Sequence, residues 1–293
     1  MRIRIKVPRA IAVIAATIAI GVATGGVADA SPAAHAKPAS LTNYQIVQSS
    51  YYSVDPNTPA ETTVTCPAGM VPVSGGESNN GGGVVHLVGS SPYQSSWSTA
   101  VFNTGSTWAT YSTYAVCVSG LTSYQVVWSN PLTIGANGIP TESDAYCPAG
   151  MSIIGGGFSS GGPYNIQLYS SYPTDPSAGQ QSSWSTTLAN RNGTDILAES
   201  IVVCGTGLNI QQRTGEVWIS GQFTNQTVNC PAGTSIISGG VFSISESGTG
   251  FVWQGVITDS YPTSNTAWTA LDYPTYEGNE PTIAFDMTAI CGS

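Results

Sequence analysis

One short pattern occurs three times in this chain: Cys-Pro-Ala-Gly at residues 66–69, 147–150 and 230–233, with a glycine pair nine and ten residues after each cysteine, at Gly75-Gly76, Gly156-Gly157 and Gly239-Gly240. Each copy continues to a Ser-x-Pro step (Ser90-Ser91-Pro92, Ser171-Tyr172-Pro173, Ser260-Tyr261-Pro262), then a tryptophan (Trp97, Trp184, Trp268). Each closes with a second cysteine (Cys117, Cys204, Cys291). Landmarks repeated in one order at long spacing mean one supersecondary design used three times. The opening stretch Leu121-Thr122-Ser123-Tyr124-Gln125-Val126-Val127 echoes Leu41-Thr42-Asn43-Tyr44-Gln45-Ile46-Val47, which sets the units at 41–120, 121–207 and 208–293.

Local composition makes these units β. Runs rich in Val, Ile, Thr, Tyr and Phe, such as 44–54, 110–118 and 282–290, are bounded by turn chemistry at Asn79-Asn80-Gly81 and Asn192-Gly193. Outside the first thirty residues no stretch carries a 3.6-residue apolar period. The fold class expected is therefore all-β: three homologous disulfide-stapled units arranged as small sandwich-like domains in tandem, or alternatively as one pseudo-threefold body resembling a β-prism. In this reading Cys-Pro-Ala-Gly is a sharp turn and the glycine pair a bulge or a close backbone approach. Ser-x-Pro is a second turn, and the repeated Trp fills each unit's core beside its disulfide.

Residues 1–30 read as a signal peptide: Arg2, Arg4, Lys6 and Arg9 precede an apolar run that ends in Ala28-Asp29-Ala30. Residues 31–40 follow as a flexible leader. Removal of residues 1–30 takes four of the seven basic residues and one of the sixteen acidic ones, leaving Lys37, Arg191 and Arg213 and a net charge near −12. Nucleic acid, which needs clustered Lys and Arg, is excluded as a partner, and no membrane insertion is expected after cleavage. Only 8 % of the chain is charged, against roughly 25% in ordinary domains, so the surface is a neutral coat of hydroxyls and amides. The six cysteines supply one early and one late member per unit, which predicts Cys66–Cys117, Cys147–Cys204 and Cys230–Cys291; a swap between neighbouring units is the alternative. All of this fits a secreted, extracellular protein.

The repeat resembles exported repeat proteins of Streptomyces-like actinobacteria, whose shared landmarks are the Cys-Pro-Ala-Gly turn, the glycine pair, Ser-x-Pro, Trp and the terminal Cys. More distantly it is similar to vitelline membrane outer layer proteins. The first likeness implies export and assigns neither an activity nor catalytic residues; the second implies a β-prism.

Chemistry is sparsely supplied. His35 lies in the leader and His86 is expected to face solvent on a strand, so a Ser-His-Asp triad has one histidine to use and no nucleophile elbow to select a serine. No cofactor and no metal site is expected, because one histidine and paired cysteines make no zinc site. The carboxylates, Glu77, Glu142, Asp259 and Asp272 among them, are scattered and do not recur in all three units, and 272–280 reads as a solvated acidic loop. Aromatics outside the repeated core positions are the candidate binding residues: Trp108, Trp128, Trp218, Trp253, Tyr273 and Tyr276. Sugar rings stack on such groups while Asn, Gln and hydroxyls take their polar edges. The function expected is non-catalytic binding of extracellular or cell-wall glycan, with neutral polysaccharide or an extracellular protein as partner. The alternatives are a secreted polysaccharide hydrolase and a structural or inhibitor-like protein.

Overall fold

The computed structural model describes residues 43–161, 165–174, 181–220, 224–247, 250–252, 255–274 and 282–293. Residues 1–40, read above as signal peptide and leader, lie outside them, as do Trp253 and Tyr276. Among the described residues each unit contributes seven strands. Unit one holds β1 (Tyr44–Gln48), β2 (Tyr52–Val54), β3 (Pro59–Thr65), β4 (Val71–Asn79), β5 (Val85–Tyr93), β6 (Ser96–Asn103) and β7 (Ala109–Val118). Unit two holds β8 (Ser123–Trp128), β9 (Leu132–Ile134), β10 (Thr141–Tyr146), β11 (Ser152–Gly161), β12 (Ile166–Thr174), β13 (Ser183–Asn190) and β14 (Ile196–Thr206). Unit three holds β15 (Ile210–Ser220), β16 (Thr224–Asn229), β17 (Ser235–Ser247), β18 (Gly250–Val252), β19 (Gly255–Ser264), β20 (Ala267–Pro274) and β21 (Thr282–Gly292). Among the described residues every helix or strand element is a strand, and no helix is long and apolar enough to cross a membrane.

The strands form three antiparallel sheets, and each sheet draws on two units. The first has the order β1-β7-β4-β19-β20-β16, with β2 beside β7. The second runs β3-β6-β5-β11-β14-β8, with β9 beside β14, and the third runs β10-β13-β12-β17-β21-β15, with β18 beside β17. Every unit therefore splits into two layers that belong to different sheets. The units follow one another in tandem as two-layered sandwiches, and their shared sheets join them in a ring, so that Lys37–Ser293 is one compact unit and one apolar core runs through all three units. The sheets are not a closed barrel, because each ends in edge strands. The joints between units are narrow: Glu77 pairs Ser260 between β4 and β19, Phe158 pairs Ser90 between β11 and β5, and Val241 and Phe242 pair Ser171 and Ser170 between β17 and β12.

The repeated landmarks make the ring. In the Cys-Pro-Ala-Gly turn the glycines take positive φ (82°, 84° and 85° at Gly69, Gly150 and Gly233), a region open to Gly because it has no Cβ. The N–H two residues past the alanine then bonds back to the proline carbonyl, as Met70 does to Pro67 at 3.0 Å. The predicted cysteine pairs are the disulfides present, and each bridges the two layers of its own unit. Trp97, Trp184 and Trp268 are buried, and each indole ring crosses to the other layer, where it occupies the space a Cβ would need on Gly75, Gly156 or Gly239. The second glycine of each pair lets the neighbouring unit's strand approach at the joint: a side chain on Gly76 or Gly157 would overlap the carbonyl of Ser260 or Ser90.

Ser-x-Pro is not the turn expected. It lies inside β5, β12 and β19, where Ser90, Ser171 and Ser260 each accept the indole N–H of their unit's Trp at 2.9 Å. Proline is tolerated there because the strand meets its inter-unit neighbour only at or just before the serine, so the proline has no ladder partner on that side to satisfy.

Candidate functional site

Departures from threefold repetition point to the site, since the shared positions are spent on holding the ring. The middle residue of Ser-x-Pro is Tyr in units two and three and Ser91 in unit one. At the β4–β19 joint Tyr261 stacks on Tyr114, with ring centroids 5.1 Å apart, and at the β17–β12 joint Tyr172 meets Phe242 edge-on at 4.9 Å. An aromatic pair thus covers each of those joints. At the β11–β5 joint, counting from the landmarks, Ser91 stands in place of the tyrosine, Ile201 in place of Tyr114 and Ser159 in place of Phe242. The cover is missing, and a groove of about 160 Å³ opens over this joint on the second sheet.

The groove is polar at its walls and apolar at its floor. Glu61, Ser91, Ser98, Ser159 and Ser160 line it, Gly89 leaves it wide, and Val88 and Phe158 lie beneath. Ser98 Oγ donates to Glu61 Oε1 at 2.5 Å and Ser160 Oγ to the Val88 carbonyl at 2.6 Å, which holds the hydroxyls in place. Such an arrangement offers hydroxyl donors and acceptors and a carboxylate acceptor, with no cationic side chain among the lining residues.

Trp128 shares this face. Ser159 pairs Glu199, and two residues along β14 Ile201 pairs Trp128, so alternation puts Trp128 on the groove's side of the sheet. It stands two strands from β11, about 10 Å away at the usual strand spacing, and it is 44% exposed. The other sequence candidates do not gather there. Trp108 is exposed in the loop between β6 and β7, and Trp218 lies on β15 of the third sheet. Tyr273 is partly buried on β20, its ring lying where a Cβ on Gly83 would project. Tyr51, Tyr52 and Tyr93 are exposed, whereas Tyr111 and Tyr169 are buried.

A second departure from symmetry is internal. Glu77 follows its glycine pair where Phe158 and Val241, both core residues, follow theirs. Asp272 lies four residues after its Trp, as Val101 and Leu188 do, and Asp259 precedes its serine where Gly89 and Ser170 stand. All three carboxyl groups are buried, so Asp272 is a strand residue of the interior and not part of a solvated loop. Burial raises each pKa: Asp259 to about 7, Asp272 to about 6, and Glu77 well above the usual carboxylate range, the last pushed further by Asp259. Ser243 Oγ donates to Asp272 Oδ2 at 2.8 Å, and Asp272 Oδ1 has no hydrogen-bond partner. None of the three lines the groove.

His86 is buried as well, contrary to the solvent-facing position expected, because its strand lies in the interior of the second sheet. Burial lowers its pKa, opposed by backbone hydrogen bonds at Ile166 and Gly83, and its Nδ1 has no hydrogen-bond partner. A void of about 20 Å³, lined by Gly75, Gly156 and Gly239 together with Ser90, Ser171 and Ser260, lies where the three units meet and has room for little more than a water. Among the described residues no cluster of His, Cys, Asp and Glu is placed to hold a metal ion. No family model and no curated protein sequence matches the chain.

Proposed function

We propose that this is an exported, non-catalytic binding protein that takes neutral extracellular or cell-wall glycan on the outer face of its second sheet. The observation that carries this reading is the β11–β5 joint, where small hydroxyl side chains replace the aromatic cover of the other two joints and leave the groove open. In it the hydroxyls and Glu61 take the polar edges of a sugar, and Trp128 supplies a stacking surface one sugar or two away. Three disulfides suit an oxidising compartment, in agreement with export. The scarcity of charge makes hydrogen bonds and stacking the source of affinity.

The full chain without residues 1–30 is therefore expected to sediment with insoluble neutral polysaccharide, with retention unchanged between low and high salt. Trp128→Ala is expected to weaken retention by roughly tenfold, the worth of about 1.4 kcal/mol of stacking. Retention that vanishes at moderate salt, or release of soluble sugar by the protein, would overturn the reading.

A further inference from the structure

The ring has three joints, and one of them carries ionisable groups across it. At the β4–β19 joint, which brings the first unit to the last, the strands are paired only at Glu77 and Ser260. Beyond that pair Asn79 stitches them: its backbone N–H donates to Asp259 Oδ1 at 2.6 Å, and its Nδ2 donates to the Thr258 carbonyl at 2.9 Å and to Glu77 Oε1 at 3.2 Å. One asparagine thus bonds two buried carboxyl groups from opposite sides of the joint. The other joints hold Phe158 with Gly89, and Val241 with Ser170, at the same positions. Neither titrates.

Among the described residues no Lys or Arg offsets the pair. The titratable groups on strands packed against β4 and β19 are Tyr111 and Tyr114 on β7, His86 and Tyr93 on β5, Asp272 and Tyr273 on β20, Tyr169 and Tyr172 on β12, and Glu246 on β17. The carboxyl and phenol groups carry no positive charge, and burial lowers the pKa of His86, which disfavours its cationic form. Of the described basic residues, Arg191 bonds Gln167 and Tyr169, and Arg213 lies on the third sheet's edge strand β15. Two ionised carboxylates buried together without a counter-ion repel each other and lack the solvation they have in water.

We propose that the β4–β19 joint is a proton-held latch, closed while the Glu77–Asp259 pair retains a proton and opening when both groups ionise, with the other two joints staying closed. The sign follows from the carboxyl groups being harder to ionise in the closed ring than in the open one. Closure is fully favoured below the open-state carboxylate range near pH 4, it weakens as pH rises through the closed-state value of about 7 for Asp259, and it is lost once Glu77, held well above the usual carboxylate range by burial and by Asp259, ionises too. Acidic surroundings tighten the ring.

Hydrogen exchange on the full chain between pH 5 and 8, corrected for the intrinsic exchange rate at each pH, tests this. Protection of β4 and β19 amides, the Asn79 N–H above all, is expected to fall up to about tenfold per pH unit for each proton released. Protection at the β11–β5 and β17–β12 joints is expected to stay level over the same range. The double variant E77Q/D259N, which keeps shape and hydrogen-bonding oxygens, is expected to abolish the slope. A parallel loss at all three joints, no loss at the β4–β19 joint, or a slope that survives in E77Q/D259N would overturn the latch. If that variant does not fold, the comparison of the three joints in the unaltered chain decides alone.

Discussion

Trp184→Ala is expected to lower the stability of the folded protein by about 3–5 kcal/mol, the range for truncating a fully buried aromatic. The ring is 1% exposed, sits where Gly156 has no side chain, and is anchored through Nε1 to Ser171 Oγ at 2.9 Å. Because its neighbour across the layers is a glycine, no side chain stands ready to fill the vacated volume, and the cost belongs near the upper end of the range. One core runs through all three units, so the loss should appear as a lower melting temperature for the whole protein, by roughly 6–20 °C for a body of this size. Ser171→Ala, which removes only the indole's acceptor, is expected to cost about 1 kcal/mol. Denaturant titration of both variants provides the comparison. Equal effects, or a cost for Trp184→Ala below about 1 kcal/mol, would show that the indole does not hold the two layers together.

Loss of the middle disulfide should have an effect of similar size. Cys147 and Cys204 are 57 residues apart in sequence, and in the chain-entropy model a crosslink closing such a loop is worth about 4 kcal/mol. The bridge also joins the end of β10 in the third sheet to β14 in the second, so its removal frees two walls of the ring from each other. The paired variant Cys147→Ser with Cys204→Ser is expected to unfold at lower urea by an amount equivalent to about 2–5 kcal/mol, with the remaining two disulfides intact by non-reducing peptide mapping. A peptide joining Cys66 or Cys230 to another unit in the unaltered protein would contradict the within-unit staples.

Much of this fold is legible in spacing. The cysteine positions alone indicate the staples, and the coincidence of a glycine pair with a Trp in every unit anticipates a close approach, because the cysteines, the Trp and the first glycine of the pair meet within one unit. The sharing of sheets is not legible in the same way. Only one or two ladder pairs, such as Glu77 with Ser260, join the strands of any two units, and so short a pairing leaves no periodic trace in a local stretch. Ser-x-Pro reads as a turn because proline usually marks one; only the gap in the ladder beyond Ser90 makes Pro92 acceptable inside β5.

The groove is harder still to foresee, since it arises from side chains that are small where their counterparts are large. Ser91 draws attention only beside Tyr172 and Tyr261, once those two are known to cover their joints. The internal carboxyl groups had a readable signal: counted from the glycine pair and the Trp, Glu77 and Asp272 fall at positions occupied elsewhere by Phe158, Val241, Val101 and Leu188. Searching for carboxylates that recur passes over such cases, because what distinguishes these residues is that they replace core apolar ones in one unit only.

The measurement that bears most directly on the functional reading uses the residue the other two units already carry. Ser91→Tyr places over the β11–β5 joint the side chain found at Tyr172 and Tyr261, so the fold has a precedent for it and the melting temperature is expected to stay near that of the unaltered protein. In sedimentation with insoluble neutral polysaccharide, the account predicts that the unaltered chain is retained and that Ser91→Tyr loses at least about tenfold in affinity, the equivalent of about 1.4 kcal/mol. Retention of Ser91→Tyr equal to that of the unaltered chain, at unchanged stability, would contradict it.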